Sequence, residues 1–496
     1  MDRGCPRRIP PHAAARERRR RDAGITLRGA RSIRRRSISP WQTNSANQTA
    51  GQASPPVLVV LANAFCRPPP LFGRARAGNL PSLQSEASPQ HLHEHTSRGE
   101  STVSRKVQVV GVGMIPFTKP GASEPYSVMG ARAAKQALED ARVDYKLIEQ
   151  AYVGYVYGDS TSGQAAVYGV GVTGIPVFNV NNNCSSGSTA LFLARQAIDS
   201  GAAECVLVLG FDQMSPGALK GAYDDRPSPL ARFQESMVAV QGFEDGVPRA
   251  AQFFGGAGRA HMERFGTKPE TFARISVKAR QHAARNPLAI FRQTVTLDEV
   301  MAAPQVFNPL TRLQCCPPTC GAAAAVLASE DFARKHGLDT RVFIAAQAMT
   351  TDTASTFDSG DMRRVVGYDM TGTAARRVYE ASGVGPEDVD VVELHDCFTA
   401  NELITYEGLG LTAEGTAERF ILDGDNTYGG KVVVNPSGGL LSKGHPLGAT
   451  GLAQCAELVW QLRGQADQRQ VEGARVALQH NLGLGGACVV TMYQSA

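Results

Sequence analysis

The stretches Asn181–Ile198, NNNCSSGSTALFLARQAI, and Gly444–Leu462, GHPLGATGLAQCAELVWQL, decide how this chain is read. Laid over each other without a gap, they place Cys184 on His445, Gly187 on Gly448, Thr189 on Thr450 and Leu191 on Leu452. Apolar residues then recur at helical spacing, as at Ala190, Leu193, Ala194, Ala197 and Ile198. Each stretch therefore predicts a helix that begins just after a reactive side chain. A helix N-terminus carries unpaired N–H groups and partial positive charge, so a cysteine held there is expected to lean toward thiolate. A histidine near it can take the proton and then donate hydrogen bonds to an oxyanion. The pair reads as an active site built from a duplicated fold.

The duplication extends further. Ala133–Tyr157 runs gaplessly beside Ala374–Phe398, each a helical stretch, a turn and a buried apolar strand. Cys205-Val-Leu-Val-Leu-Gly likewise parallels Arg475-Val-Ala-Leu-Gln-His. Two half-domains of alternating strands and helices predict largely parallel sheets covered by helices.

With 496 residues and 43% hydrophobic content, the chain can bury a large core. No apolar run approaches the roughly 18–20 residues of a membrane helix. The net charge of +5 conceals an asymmetry, because the first 40 residues hold thirteen arginines against three acids. The basic surplus thus belongs to a tail and gives no sign of a nucleic-acid groove on the globular part. The tail, residues 1–104, is rich in Arg, Pro, Ser, Gln and Asn without amphipathic period, and reads as disordered. Its Arg-rich start resembles a mitochondrial transit peptide, with Arg18–Arg21 equally readable as a basic patch. His91, His93 and His95 in it read as solvated rather than metal-bound.

Eight of the ten cysteines lie outside the tail, within apparent helices, strands and loops, which favours reduced thiols. Cys315, Cys316 and Cys320 (CCPPTC) lack a second pair at zinc-site spacing and read as a structural turn before the strand Ala322–Ala328. No resident metal or cofactor is expected. The opening GVG, Gly111–Gly113, lacks the third glycine of a dinucleotide fingerprint.

In the second half, the strand Val389–Leu394 ends at His395, Asp396, Cys397 and Phe398. Functional groups gather at the carboxyl ends of strands in open parallel sheets, so His395 and Cys397 are candidates for the same pocket. The glycine run Ser437, Gly438, Gly439 allows close approach of a ligand. The loop Asn481–Ala487, NLGLGGA, can aim an N–H at an oxyanion.

The motifs NNNCSSGS, HDCF and SKGHPLGATG resemble the thiolase superfamily, most closely its peroxisomal sterol-carrier-type 3-ketoacyl-CoA thiolases, over about residues 105–496. The resemblance implies an α/β fold of five αβαβα layers, with two similar halves. It places a first half over 105–335, an inserted loop region at about 215–310, and a second half over 336–496. It implies Cys184 as the acyl-accepting nucleophile and His445 as its activating partner. His395 stands where many relatives carry the asparagine of an oxyanion hole. Asn481 stands where they carry the acid/base cysteine, a role that sterol-carrier-type members give to Cys397. Gly483 matches the glycine whose N–H joins that of Cys184 in a second oxyanion hole. Ser437, Gly438 and Gly439 are expected to touch substrate, and Cys488 to be packed.

The chemistry so implied is thiolytic cleavage of a medium, long or 2-methyl-branched 3-ketoacyl-CoA, with coenzyme A as co-substrate and no membrane or nucleic-acid partner. A homodimer or homotetramer follows by the same resemblance. So does a peroxisomal location, although the final QSA is no S-K-L address and the basic tail makes mitochondria the competing site. The sterol-carrier domain is not expected in this chain, which makes lipid transfer doubtful. Two other readings are a decarboxylating ketoacyl synthase using Cys184, His395 and His445, and a non-catalytic lipid-binding or scaffold subunit.

Overall fold

The computed structural model describes residues 105–216, 223 and 225–496. The readings made on the tail, its three histidines included, lie outside the described residues. The first half contributes β1 (Val107–Met114), β2 (Gln150–Gly154), β3 (Val177–Val180), β4 (Cys205–Asp212) and β5 (Gly321–Ser329). The second contributes β6 (Val342–Thr350), β7 (Val391–Glu393), β8 (Val433–Val434), β9 (Val476–Gly483) and β10 (Ala487–Ser495). Across the sheet they run β8-β7-β9-β10-β6-β1-β5-β4-β2-β3. Outward from the central seam, both halves follow one order: first strand, last, fourth, second, third. The seam itself is slight, pairing Val107 with Ile344 and Gln108 with Phe343.

The expectation of largely parallel pairing needs correction. Within each half, the second strand pairs in parallel with the third and fourth. The last strand is antiparallel to both its neighbours. Strand β10 returns from β9 by a tight turn at Gly485 and Gly486, both at positive φ, rather than by a helical crossover. The halves are mixed sheets.

Seven helices carry the argument: α1 (Tyr126–Ala141), α2 (Ser186–Asp199), α3 (Arg249–Phe265), α4 (Pro269–Ala283), α5 (Tyr368–Ser382), α6 (Thr399–Gly408) and α7 (Leu447–Arg463). Helix α1 covers the outer face of β1, β4 and β5, and α5 that of β6 and β10. Helices α2 and α7 lie between the halves, giving the layer order helix, sheet, helix pair, sheet, helix. Strand periodicity explains β5, which is buried on both faces. Its Ala323, Ala325 and Leu327 join the central layer, while Ala322, Ala324, Val326 and Ala328 face α1. The GVG glycines on β1 serve packing, since a methyl on Gly111 would lie 2.3 Å from the Ala137 carbonyl oxygen of α1.

Between β4 and β5 the regular structure of the described residues is mostly helical, and α3 and α4 pack on α6 of the second half. Polar contacts tie it down inside. His261 Nε2 lies 3.1 Å from Glu407, Lys278 pairs with Glu402, and Asn286 Nδ2 donates to the Ser437 carbonyl at 2.9 Å.

Candidate active site

The two matched helices meet at their matched glycines. A methyl on Gly187 would sit 2.5 Å from the Gly448 carbonyl oxygen, and one on Gly451 would sit 2.3 Å from Ser188 Oγ. Only residues without a Cβ allow this approach. Cys184 precedes α2 by two residues and His445 precedes α7 by two, so crossing the helices at these points brings the two side chains together.

The loop before α2 is held by its asparagines. Asn183 adopts φ 52° and its amide donates to the Leu484 carbonyl at 2.9 Å. The Asn182 N–H donates to Ser186 Oγ at 2.9 Å, and Asn182 Nδ2 reaches Thr189 Oγ1 at 3.2 Å. Gly483, at the end of β9, lies against this loop, where a methyl would fall 2.2 Å from the Asn182 carbonyl oxygen.

His445 Nδ1 lies 2.7 Å from Thr450 Oγ1, whose hydroxyl proton goes to the Pro446 carbonyl at 2.8 Å. Thr450 must therefore accept from Nδ1–H, leaving a lone pair on Nε2. That Nε2 is buried and has no partner among the described residues. His395 packs edge-on against His445 with ring centroids 5.1 Å apart, and its Nδ1 lies 3.1 Å from Asn481 Nδ2. The Cys184 sulphur and one nitrogen from each imidazole all lie within 4.8 Å of one another.

Burial dominates the electrostatics. It holds His395 well below the usual imidazole range, with the charge of His445 next, and lowers His445 to about 3, with Lys443 assisting. Burial and then the Asp212 carboxylate push the Cys184 thiol up to about 12. The expected lean toward thiolate is therefore corrected for the resting site. Loss of solvation and a nearby carboxylate outweigh the helix N-terminus, and the resting pair is neutral thiol and neutral imidazole. Asp212 is itself raised to about 6 by burial, against the N–H groups of Val156, Tyr157 and Gly448 that it accepts. Through the Gly448 N–H, 2.5 Å away, it ties the end of β4 to the first turn of α7.

Cys397 is buried, and its carbonyl accepts from the Cys316 N–H at 2.9 Å, beside the antiparallel bridge of Cys315 with Phe398. Burial drives the Cys397 thiol far above its ordinary range, with the charges of Cys316, Cys184 and Asp396 adding to it. Cys316 responds to Cys184 and Asp396 in the same direction. The three thiols are thus near enough for their charges to act on one another. Cys316 was read from sequence as part of a structural turn, a reading that holds for Cys320, whose sulphur accepts from the Met214 N–H at 3.2 Å. The internal repeat carried the missing signal, because CCPPTC precedes β5 as NLGLGG precedes β10.

Ser437, Gly438 and Gly439, expected to touch substrate, are engaged in hydrogen bonds and close packing that hold this loop. The N–H and hydroxyl of Ser437 both donate to Glu393, at 3.0 and 2.8 Å, and its carbonyl is taken by Asn286. A methyl on Gly439 would strike the Asp396 carboxylate. This segment shapes the loop that carries buried Lys443 and His445. Asn481 is the partner that orients His395, and Cys488 is packed on β10 with its sulphur 3.8 Å from Thr371 Oγ1.

A cysteine and an acceptor histidine opening two mutually packed helices define an acyl-transferring thiol enzyme of the αβαβα class. The Thiolase, N-terminal domain family matches residues 107–331, and the Thiolase C-terminal domain-like family matches residues 351–493. The chain belongs to the thiolase family of acyltransferases. It is 56% identical over 403 residues to Sterol carrier protein 2 of Homo sapiens, covering 80% of this chain and 74% of that protein. Acetyl-CoA acetyltransferase of Methanothermobacter thermautotrophicus is 36% identical over 396 residues, 78% of this chain and 99% of that protein. The structure of human mitochondrial 3-ketoacyl-CoA thiolase in complex with CoA shares the fold, with a TM-score of 0.59 at 21% identity over 79% of this chain and 98% of that one.

Proposed function

We propose that the protein cleaves 3-ketoacyl-CoA by thiolysis, taking medium, long or 2-methyl-branched chains and coenzyme A to acetyl-CoA or propionyl-CoA and a shortened acyl-CoA. The observation that carries this reading is the convergence of Cys184, His395 and His445, with Cys397 near enough to feel the charge of Cys184.

Cys184 delivers its proton to the free lone pair of His445 Nε2 as its sulphur attacks the C3 ketone. The resting pair is neutral, so the charge appears only as substrate binds, and the N–H groups of Cys184 and Gly483 receive the alkoxide. Collapse breaks the C2–C3 bond and releases a thioester enolate. With Asn481 donating to Nδ1, His395 carries its proton on Nε2 and can hydrogen-bond that enolate oxygen. Cys397 protonates the enolate carbon, and the resulting thiolate takes the proton of incoming CoA. The CoA sulphur then lifts the acyl group from Cys184, whose departing sulphur takes its proton back from His445. Removing one such oxyanion donor typically costs about 100- to 1000-fold in turnover.

A second thiol favours thiolysis over decarboxylating condensation, where loss of carbon dioxide supplies the carbanion. We place the protein in the peroxisome on its likeness to sterol-carrier-type thiolases, and propose that it assembles as a dimer or tetramer. Edge strand β3, with Phe178 exposed and Tyr168 and Val172 exposed beside it, supports the latter. The deciding experiment is CoA-dependent cleavage of straight and 2-methyl-branched 3-ketoacyl-CoA substrates, with mass spectrometry of the enzyme before CoA is added. An acyl group on a cysteine other than Cys184, or no cleavage across the series, overturns the reading.

A further inference from the structure

We propose that Cys184, His395 and His445 also form a site for a zinc-class divalent cation, and that its occupation switches acyl transfer off. Three observations converge. One sulphur and two imidazole nitrogens lie within 4.8 Å of one another. Tetrahedral zinc with bonds of about 2.3 Å to sulphur and 2.0–2.1 Å to nitrogen needs its ligand atoms about 3.3–3.6 Å apart, so small side-chain rotations close the set. Next, His445 Nε2 is buried, lacks a partner among the described residues, and has its tautomer fixed by Thr450 on the other nitrogen. A metal-binding histidine is commonly oriented in this way.

Asn481 supplies the third observation. Its Nδ2 meets His395 Nδ1, while its Oδ1 is buried without a partner. Turning the amide over puts the oxygen against Nδ1, moves the imidazole proton there, and frees Nε2 as a ligand. One arrangement suits an oxyanion and the other suits a metal. Three protein ligands leave a fourth position for water or a thiol.

Binding forms a metal–sulphur bond and releases the Cys184 thiol proton to solvent, with no redox step. The occupied sulphur can no longer attack a ketone. The site has the Cys-His-His donor set that favours zinc or cobalt over magnesium or calcium, which prefer oxygen.

The test uses the full chain freed of metal by chelator and titrated with cobalt(II), then with zinc. One equivalent of cobalt should give a thiolate-to-cobalt charge-transfer band and visible bands of tetrahedral strength, both removed by zinc. Cys184→Ala should lose the charge-transfer band. Thr450→Val should weaken cobalt binding by about 10- to 100-fold, the usual effect of removing a group that orients a ligand histidine. Cys316→Ala and Cys397→Ala should keep the band. Zinc should inhibit thiolysis in competition with 3-ketoacyl-CoA, reversibly by chelator, and about tenfold more strongly per pH unit as the single proton released requires. A band that survives in Cys184→Ala, or that disappears in Cys397→Ala, assigns the metal to other thiols and overturns the proposal. So does the lack of any band at one equivalent. The cobalt spectrum needs no substrate, so its outcome is independent of whether thiolysis is the reaction.

Discussion

Gly448→Ala tests how closely the first turn of α7 is seated against the ends of β2 and β4. The added methyl would fall 2.6 Å from the Gly154 and Phe211 carbonyl oxygens and 2.6 Å from Tyr155 Cα, all backbone atoms unable to rotate away. Overpacking of this kind costs about 1–3 kcal/mol, and three rigid neighbours place it at the upper end. At about 2.1 cal/mol/K of unfolding entropy per residue, the folded body would lose only about 4 °C in melting temperature. Activity should suffer more. Relief of the clash moves α7, and a displacement of about 1 Å at His445 is enough to lose roughly 100-fold in kcat. Gly372→Ala in α5 is the control, because nothing lies nearer than 3.6 Å to its added methyl. It should be neutral or stabilising by about 0.5–1 kcal/mol. Calorimetry and steady-state thiolysis measure both variants. Wild-type kcat and melting temperature in Gly448→Ala would refute the idea that this close seating of α7 fixes the position of His445.

Cys397→Ala should lower turnover by about 100-fold or more, the range of general acid–base catalysis, while single-turnover acylation of Cys184 persists. Near-wild-type turnover would remove Cys397 from the mechanism. Asn481→Asp fixes a proton on His395 Nδ1, so kcat should fall with little change in KM, and an unchanged kcat would show that the Nε2 proton is not used. Acidification should destabilise the fold between pH 6.5 and 3. His282, His445 and His480, lowered to about 3, and His395 stay neutral in the native state but protonate once unfolded. Asp212 and Asp396, raised to about 6 and about 8, act in the opposite sense because the native state holds their protons. Near pH 5.5 the unfolded chain binds about two more protons, so stability should drop by roughly 2–3 kcal/mol per unit of acidification. Urea midpoints that stay flat from pH 6.5 to 5 would contradict this.

The repeat legible in the sequence carried the fold a long way. The gapless match of Ala133–Tyr157 with Ala374–Phe398 reappears as helix, turn and strand, down to the short helical turns Tyr145–Leu147 and Pro386–Asp388 at equivalent positions. Strand direction was not legible, because burial on both faces gives the same apolar runs for parallel and antiparallel neighbours. Cys184 and His445 stood out because helix patterning placed them at matched termini. Cys316 did not, and neither did the contact of Asn481 with His395, since both come from pairing between segments distant in sequence. The protonation of Cys184 was misread for a related reason: a helix terminus is visible in sequence, whereas the burial that opposes it is not.

The contact between Gly187 and Gly448 joins equivalent positions of two equivalent halves. A residue on the axis of a symmetric pair meets its own copy, and self-complementary contact is how identical subunits associate. Two separate, identical halves would carry the same side chain on both sides of that axis, cysteine facing cysteine or histidine facing histidine. Joining them in one chain lets the two positions differ. The reactive pair is thus a product of asymmetry, available only after the two copies came under one reading frame.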